Sequence, residues 1–312
     1  MNNRNLVTIA DLSVKDIEEL FALTFQMKES YKNKQIDHSL AGKTLGMIFE
    51  KSSMRTRVSF EVAMTQLGGH AIYLTKQDIN LGERESIKDV AAILSRYVDC
   101  VAIRTFAHET VTELASHSSV PVINALSDYT HPCQALTDLY TIKEKIGRLD
   151  RVKLAFVGDG NNVARSLAFL CAKLDVSFKI ASPENYELPL ETLKIAKKIA
   201  KSSACIEQLR DPVEAIKGAD IIYTDTWISM GREKESITRR KDFKGYQVNG
   251  SLLASAKEGA FVMHCLPAHR GEEITDEVID SPNSIVYDQA ENRLHLQKAL
   301  LKLFVCNEKN ES

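Results

Sequence analysis

Short, uniformly apolar runs recur along this chain, and stretches with helical period separate them. The runs, rich in valine and isoleucine, are Thr44–Glu50, Cys100–Phe106, Pro121–Leu126, Val152–Val157, Val176–Ala181, Cys205–Leu209, Asp220–Asp225, Phe261–Leu266 and Ser284–Tyr287. A strand covered on both faces reads this way, because both sets of alternating side chains are buried. Between the runs, Phe60, Ala63, Met64 and Leu67 fall at i, i+3, i+4 and i+7, and Gly68-Gly69 ends that helix. Ile87, Val90, Ala91 and Leu94 repeat the spacing behind Ser86 as N-cap, with Asp89 in the first turn. The alternation predicts an α/β fold of βαβ units with parallel sheets. So many strands are easier to cover as two sheets than as one. A long helical segment, Pro132 to Ile146, is the expected domain junction. A final helix, about Asn292 to Phe304, carries a stripe of Leu296, Leu300 and Leu303 that says only that it packs.

Composition narrows the class. At 312 residues the chain is long enough for two domains. With 44% hydrophobic and 26% charged residues it has the make-up of a globular protein rather than a disordered one. A formal net charge of -2 gives no sign of the basic face of a nucleic-acid binder, so any anion site must be built locally from a few arginines. No apolar run approaches the roughly 18 residues of a membrane span. The Met1-Asn2-Asn3-Arg4 start lacks the apolar core of a secretion signal. The six cysteines, at 100, 133, 171, 205, 265 and 306, form no CxxC pair. They read as reduced thiols in a cytoplasmic setting, with neither a disulfide framework nor a zinc site expected.

In open α/β sheets, ligands bind beyond the carboxyl ends of the strands, and there the unusual residues gather. Lys51-Ser52-Ser53-Met54-Arg55-Thr56-Arg57 follows the first run, and Arg104 follows Cys100–Ile103. Ser127-Asp128-Tyr129-Thr130-His131-Pro132-Cys133-Gln134 follows Pro121–Leu126, and Gly158-Asp159-Gly160-Asn161-Asn162 follows Val152–Val157. Asp225 to Gly231 and His264-Cys265-Leu266-Pro267 complete the set. Polar residues concentrated along one edge of the sheets are the layout of a cleft enzyme.

Each cluster also has a plain structural reading. Ser53, Arg55, Thr56 and Arg57 sit where a strand turns into a helix, and free N–H groups, hydroxyls and guanidiniums there suit a phosphate dianion. The plain alternative is a capped helix with two solvated arginines, and Arg104 at the next strand end favours the anion site. His131-Pro132 fits an ordinary helix start with proline at the first position, slightly ahead of a pair holding a carbonyl. The Gly158 loop opens like a dinucleotide fingerprint, but Val163 stands where its third glycine belongs. A tight turn presenting backbone and Asn162 to a ligand fits better than a nicotinamide site. Asp225 with Ser229-Met230-Gly231 reads as an amine site under a closing loop, or as a cap and surface loop. The lone Trp227 favours a lid that packs on something. Cys265 reads either as a small core hydrophobe or as a thiol facing a carboxylate, and spacing does not decide between them.

Together these segments resemble the aspartate/ornithine carbamoyltransferase family, and its ornithine-specific branch in particular. The resemblance covers essentially the whole chain with the motifs in order. Phe49-Glu50-Lys51 with Ser53-Met54-Arg55-Thr56-Arg57 is similar to the SxRTR signature. His131-Pro132-Cys133-Gln134 is similar to HPxQ, Asp225 with Ser229-Met230-Gly231 to DxxxSMG, His264-Cys265-Leu266-Pro267 to HCLP, and Gln289-Ala290-Glu291-Asn292-Arg293 to the ExENR-type segment. The resemblance implies two doubly wound parallel-sheet α/β domains with the C-terminal helix returning to the first. Residues 1–147 plus 292–312 would bind carbamoyl phosphate and residues 148–291 ornithine. It also implies a homotrimer or a multiple of trimers with shared active sites, and neither metal nor organic cofactor.

Carried over position by position, carbamoyl phosphate would be held by Ser53, Met54, Arg55, Thr56, Arg104, His131, Pro132, Cys133, Gln134, Cys265, Leu266 and Arg293. Asn80 would be supplied by a neighbouring subunit, where the family commonly has Gln or His. Met54 replaces a common threonine, a change that a backbone contact survives. Asn162, Asp225, Ser229 and Met230 would bind ornithine. Arg55, Arg104, His131, Asp225 and Cys265 would carry the chemistry. The expected reaction is transfer of a carbamoyl group to the side-chain amine of ornithine, giving citrulline and phosphate. Rival readings are another acceptor (aspartate, putrescine or N-acetylornithine), a nicotinamide-dependent dehydrogenase, and a non-catalytic paralogue.

Overall fold

The computed structural model describes residues 5–200 and 205–306; the Met1–Arg4 start and the last six positions of the 292–312 segment lie outside them. The chain divides into two compact units, Met1–Thr137 with Glu291–Ser312, and Asp138–Ala290. Each holds one parallel sheet.

The first unit contains β1 (Thr44–Phe49), β2 (His70–Thr75), β3 (Cys100–Arg104) and β4 (Val122–Leu126), in the order β2-β1-β3-β4. The second contains β5 (Lys153–Val157), β6 (Ser177–Ala181), β7 (Ile206–Leu209), β8 (Ile221–Thr224) and β9 (Phe261–His264), in the order β7-β6-β5-β8-β9. All pairings are parallel. The sheets are therefore doubly wound, and each has a switch point where the chain reverses its direction of travel. In the first unit it lies between β1 and β3, in the second between β5 and β8. Loops leaving adjacent strands there diverge to opposite faces and leave a crevice.

The apolar runs behave as fully covered strands. β1, β3, β4 and β8 are buried almost throughout. Ile48, Val101, Ile103 and Val122 pack with Val90, Val111 and Leu114 of the flanking helices in the first unit. Val157, Ile222 and Val262 pack with Val248, Ile274, Val278 and Val286 in the second. Burying each such side chain contributes roughly 1.5–3 kcal/mol before chain entropy is counted.

Ser53, Ser86 and Asn161 cap the helices Met54–Gln66, Ile87–Tyr97 and Asn162–Leu174 through their side chains. The junction helix runs Pro132–Ile146, as its pattern indicates. Gly68 ends the Met54–Gln66 helix at φ +78°, a left-handed turn that a larger residue resists.

Two strand assignments need correction. Ser284–Tyr287 is not a strand: Ser284 makes one isolated bridge to Val262, and the last helix already begins at Val286, running to Cys306. That helix starts six residues before the sequence period shows it, because Val286 faces the core while Tyr287 is exposed. The structure also adds the edge strand β2, which no apolar run marks. Its residues are half-buried or exposed, so it lacks a uniform apolar run. From Glu291 onward the last helix belongs to the first unit, where the Lys28 ammonium donates to Asn292 Oδ1 at 2.7 Å. Leu296 and Leu300 are fully buried.

Candidate active site

At the first unit's switch point, loops from β1, β3 and β4 are tied to one another. Glu50 N–H donates to Arg104 O (2.9 Å), Thr105 N–H to Leu126 O (3.0 Å) and Asp128 N–H to Phe106 O (2.8 Å). The Thr105 hydroxyl donates to the Glu50 carboxylate. Lys51 bridges further, pairing with Asp128 at 2.6 Å and lying 4.3 Å over the Phe106 ring. Arg104 ends β3 beside a register shift against β4, the kind of irregularity that re-aims a side chain.

A buried polar cluster lines this point. Ser53 Oγ accepts Thr56 N–H (3.3 Å) and donates to Thr56 Oγ1 (3.0 Å). The Arg293 guanidinium donates to Thr56 Oγ1 (2.8 Å) and Gln134 Oε1 (3.0 Å). Thr56, Arg104, His131, Gln134 and Arg293 are all buried. Burial pushes the His131 imidazole well below its usual value, and the positive charges of Arg293 and Arg104 push it further. The ring is therefore neutral at neutral pH, and two buried guanidiniums stand near it with the helix N-terminus at Ser53. Positive charge and donors gathered out of water suit an oxyanion or phosphate.

The remaining carbamoyl phosphate candidates of this unit are placed differently. Arg55 is half-buried, and its Nε has no hydrogen-bond partner among the described residues. Met54 is 69% exposed, so only its backbone belongs to the helix start. Pro132 opens the junction helix without an N–H to offer. Cys133 turns inward and donates its thiol to Asn124 O at 3.5 Å, and burial pushes that thiol up to about 12. Asn80 caps the short helix Lys76–Ile79 at φ 49°, and no hydrogen bond joins its side chain to the cluster among the described residues. Arg57 of the signature also lies elsewhere: its guanidinium pairs with Glu61 at 2.9 Å and covers the Tyr73 ring at 3.9 Å, bracing β2 against the helix.

At the second unit's switch point the centre is a carboxylate. Asp225 follows β8 and is only 6% exposed. Its Oδ1 accepts the Cys265 thiol (2.9 Å) and Thr226 N–H (2.8 Å), and its Oδ2 accepts the Asn161 amide (2.8 Å). Three donors occupy three of its approximately four acceptor positions. Cys265 is thus a thiol against a carboxylate and not a core hydrophobe. The Cys265 turn is braced from below. Leu266 N–H donates to His264 Nδ1 (2.8 Å), which puts the ring proton on Nε2 toward the buried Glu273 carboxylate at 3.1 Å. Asp225, His264 and Cys265 offer ligand atoms within 4.8 Å of one another. Both nitrogens of His264 are engaged, however, so the imidazole is unavailable to an ion unless this turn breaks.

Ser229 and Met230 lie on the loop after Asp225, Ser229 half-buried and Met230 48% exposed. Trp227 packs within its own unit, 5.5 Å from the Phe243 ring and nearly parallel to it. Asn162 is the first residue of its helix and half-buried. Its neighbour Asn161, not among the expected site residues, both caps that helix and holds Asp225. The available signal was the preference for asparagine at an N-cap. Gly160 is required here because a Cβ would strike the Glu187–Leu188 backbone. Arg239, by contrast, carries no sequence signal and is buried among Asp159, Glu235 and the Trp227 carbonyl. Burial works against its charge, but Asp159 and Glu235 outweigh that and raise its pKa further.

Two family models match the chain, the carbamoyl-phosphate-binding domain of aspartate/ornithine carbamoyltransferase over residues 4–144 and the Asp/Orn-binding domain over residues 150–304. The ornithine carbamoyltransferase of Bacillus subtilis is 53% identical over 300 residues, covering 96% of this chain and 93% of that one. That of Pyrococcus horikoshii is 51% identical over 306 residues, covering 98% and 96%. The solved ornithine carbamoyltransferase of Pyrococcus furiosus superposes with a TM-score of 0.96 at 51% identity over 98% of both chains. With both domain models matched in order and half of all residues identical to such relatives, the chain belongs to the aspartate/ornithine carbamoyltransferase family.

Proposed function

We propose that this protein transfers the carbamoyl group of carbamoyl phosphate to the side-chain amine of L-ornithine, giving L-citrulline and phosphate. The observation that carries the reading is that the two units' switch points carry groups of unlike charge. One presents Arg104, Arg293, His131, Gln134 and Thr56 to an anion. The other presents the buried Asp225 carboxylate, with Cys265 and Asn161, to an amine. The relatives' names support ornithine as acceptor.

In this reading residues 1–147 with 292–312 bind carbamoyl phosphate and residues 148–291 bind ornithine. Ser53, Arg55, Thr56 and the Met54 backbone hold the phosphate. Arg104, His131 and Gln134 direct donors at the carbamoyl carbonyl, with Arg293 fixing Thr56 and Gln134. Pro132 and Cys133 contribute through the backbone of the helix start, and Cys265 and Leu266 through the turn after β9. Asn162, Asp225, Ser229 and Met230 take ornithine.

The acceptor amine has an ordinary pKa of about 10.4 and must be neutral to attack. Burial lowers that value and Asp225 raises it, so Asp225 and Cys265 orient the amine and do not serve as strong bases. The nitrogen lone pair bonds to the carbamoyl carbon, and the carbonyl oxygen takes up charge facing Arg104, His131 and Thr56. The carbon–oxygen bond to phosphate then breaks, phosphate leaves against Arg55 and the Ser53 helix start, and the amine's extra proton passes to phosphate or solvent. No covalent intermediate with the protein is required. Holding the two substrates in register supplies much of the rate.

The assembly in this reading is a homotrimer or a multiple of trimers in which Asn80 reaches a neighbouring site, and the compartment is the cytoplasm. No helix among the described residues is long and apolar enough to cross a membrane, and none of the six cysteines forms a disulfide.

The test is phosphate release and product formation with ornithine, aspartate, putrescine and N-acetylornithine side by side. Turnover with ornithine alone is expected. Preference for another acceptor would overturn the reading of Asp225 to Gly231 and leave the phosphate half standing.

A further inference from the structure

We propose that Arg239 is a positioning residue for the acceptor half-site, fixing the Asp225–Gly231 loop through the Trp227 carbonyl and Asp159. This rests on the reading that the loop receives ornithine. Arg239 lies on the helix Ser236–Asp242 and is 4% exposed. Its Nη1 donates to Asp159 Oδ2 at 2.7 Å and to Trp227 O at 2.8 Å, and its Nε donates to Glu235 Oε2 at 2.8 Å. The guanidinium also lies 4.8 Å over the Tyr186 ring. Asp159, Tyr186 and Trp227 come from the loops after β5, β6 and β8, so one side chain gathers three loops at the ligand edge of the sheet. Two of these contacts adjoin the half-site directly. Asp159 lies two residues before Asn161, which holds Asp225 Oδ2, and Trp227 lies two residues after Asp225.

A buried ion pair is an expensive way to gain stability, since apolar replacements often do as well. What a guanidinium adds is direction. Its planar fork fixes where a carboxylate and a carbonyl stand relative to each other, which an ammonium on a flexible stem does not. Arg239→Lys keeps the charge and loses the fork, while Asp159→Asn keeps the shape and loses the charge.

The experiment measures KM for each substrate separately, together with acrylamide quenching of Trp227, the single tryptophan of the chain. A shift of about 1 Å at a reacting group costs up to roughly 100-fold. Arg239→Lys is therefore expected to raise KM for ornithine by about tenfold or more, to leave KM for carbamoyl phosphate within about twofold, and to increase quenching without substrate. Asp159→Asn moves the same quantities the same way by less. Equal rises in both KM values, or an unchanged KM for ornithine, would overturn the proposal. So would failure of both variants to fold, which would make the contact structural only. If the parent protein shows no turnover with ornithine, the function reading fails by itself, and quenching still decides whether Arg239 sets the loop.

Discussion

Replacing Asp225 with asparagine changes one oxygen for one NH₂ with almost no change in volume, yet the structure leaves that amide no satisfactory orientation. With its nitrogen at the Oδ2 position, it faces the Asn161 Nδ2 donor. Asn161 cannot flip to accept, because its Oδ1 caps the following helix by taking Val163 and Ala164 N–H at 2.9 and 3.0 Å. With the nitrogen at the Oδ1 position, it faces Thr226 N–H and the Cys265 thiol. The thiol can rotate, but the backbone donor cannot. One donor is thus left facing another at a cost of about 1–3 kcal/mol, and the charge-assisted bond to the amine, about 1.5–3 kcal/mol, is lost as well. The first cost is already present in the free protein and lowers its melting temperature, while the second, at about 1.4 kcal/mol per decade, is roughly a 10- to 100-fold fall in kcat/KM for ornithine. The assay is initial-rate citrulline formation at saturating carbamoyl phosphate with ornithine varied, alongside far-UV circular dichroism and thermal melting. A folded Asp225→Asn protein retaining a third or more of parental kcat/KM would refute the reasoning.

Arg104→Ala removes a buried guanidinium at the β3 terminus, and turnover is expected to fall by orders of magnitude while circular dichroism is unchanged. Near-normal turnover would contradict its role. Cys265→Ser retains a donor toward Asp225 and is expected to stay within about tenfold of the parent, whereas Cys265→Ala, which leaves that carboxylate position unfilled, falls further in kcat/KM for ornithine. Equal losses in the two variants would show that the donor is irrelevant. His131 has a folded pKa below 6.5, so below pH 6.5 the unfolded chain binds a proton that the fold resists. Its contribution is complete above pH 6.5 and declines as pH falls from there to the folded value, with a slope of at most about 1.4 kcal/mol per pH unit. His131→Asn is expected to flatten stability against pH over that range in denaturant titrations, and an unchanged slope would remove His131 as the cause.

The strand ends and the junction helix were legible because burial on both faces leaves an unbroken apolar run, and because proline marks a helix start. β2 was not, since an edge strand with half-exposed residues carries no such run. Ile285 and Val286 misled for the opposite reason: two apolar residues entering a helix resemble a short strand. The motif residues could be read by type, but their directions could not. Ser53, Arg55, Thr56 and Arg57 form one run in the sequence. In the fold, Arg57 turns away to Glu61 and Tyr73, while Thr56 meets Arg293, more than two hundred positions on. Asn161 and Asn162 differ by one position, and only the capping geometry shows that Asn161 is the one holding Asp225. Arg239 stands beside Arg240 and Lys241 with no motif around it. Its burial depends on Asp159, eighty positions away, which no local pattern reveals.

The most direct test of carbamoyl transfer to ornithine follows carbamoyl phosphate labelled with ¹³C at the carbonyl by NMR, with phosphate release measured in the same tube. The account predicts that the label moves only into the ureido carbon of citrulline, with one phosphate released for each citrulline formed. Phosphate release without labelled citrulline, or no loss of carbamoyl phosphate beyond its spontaneous decay, would contradict it.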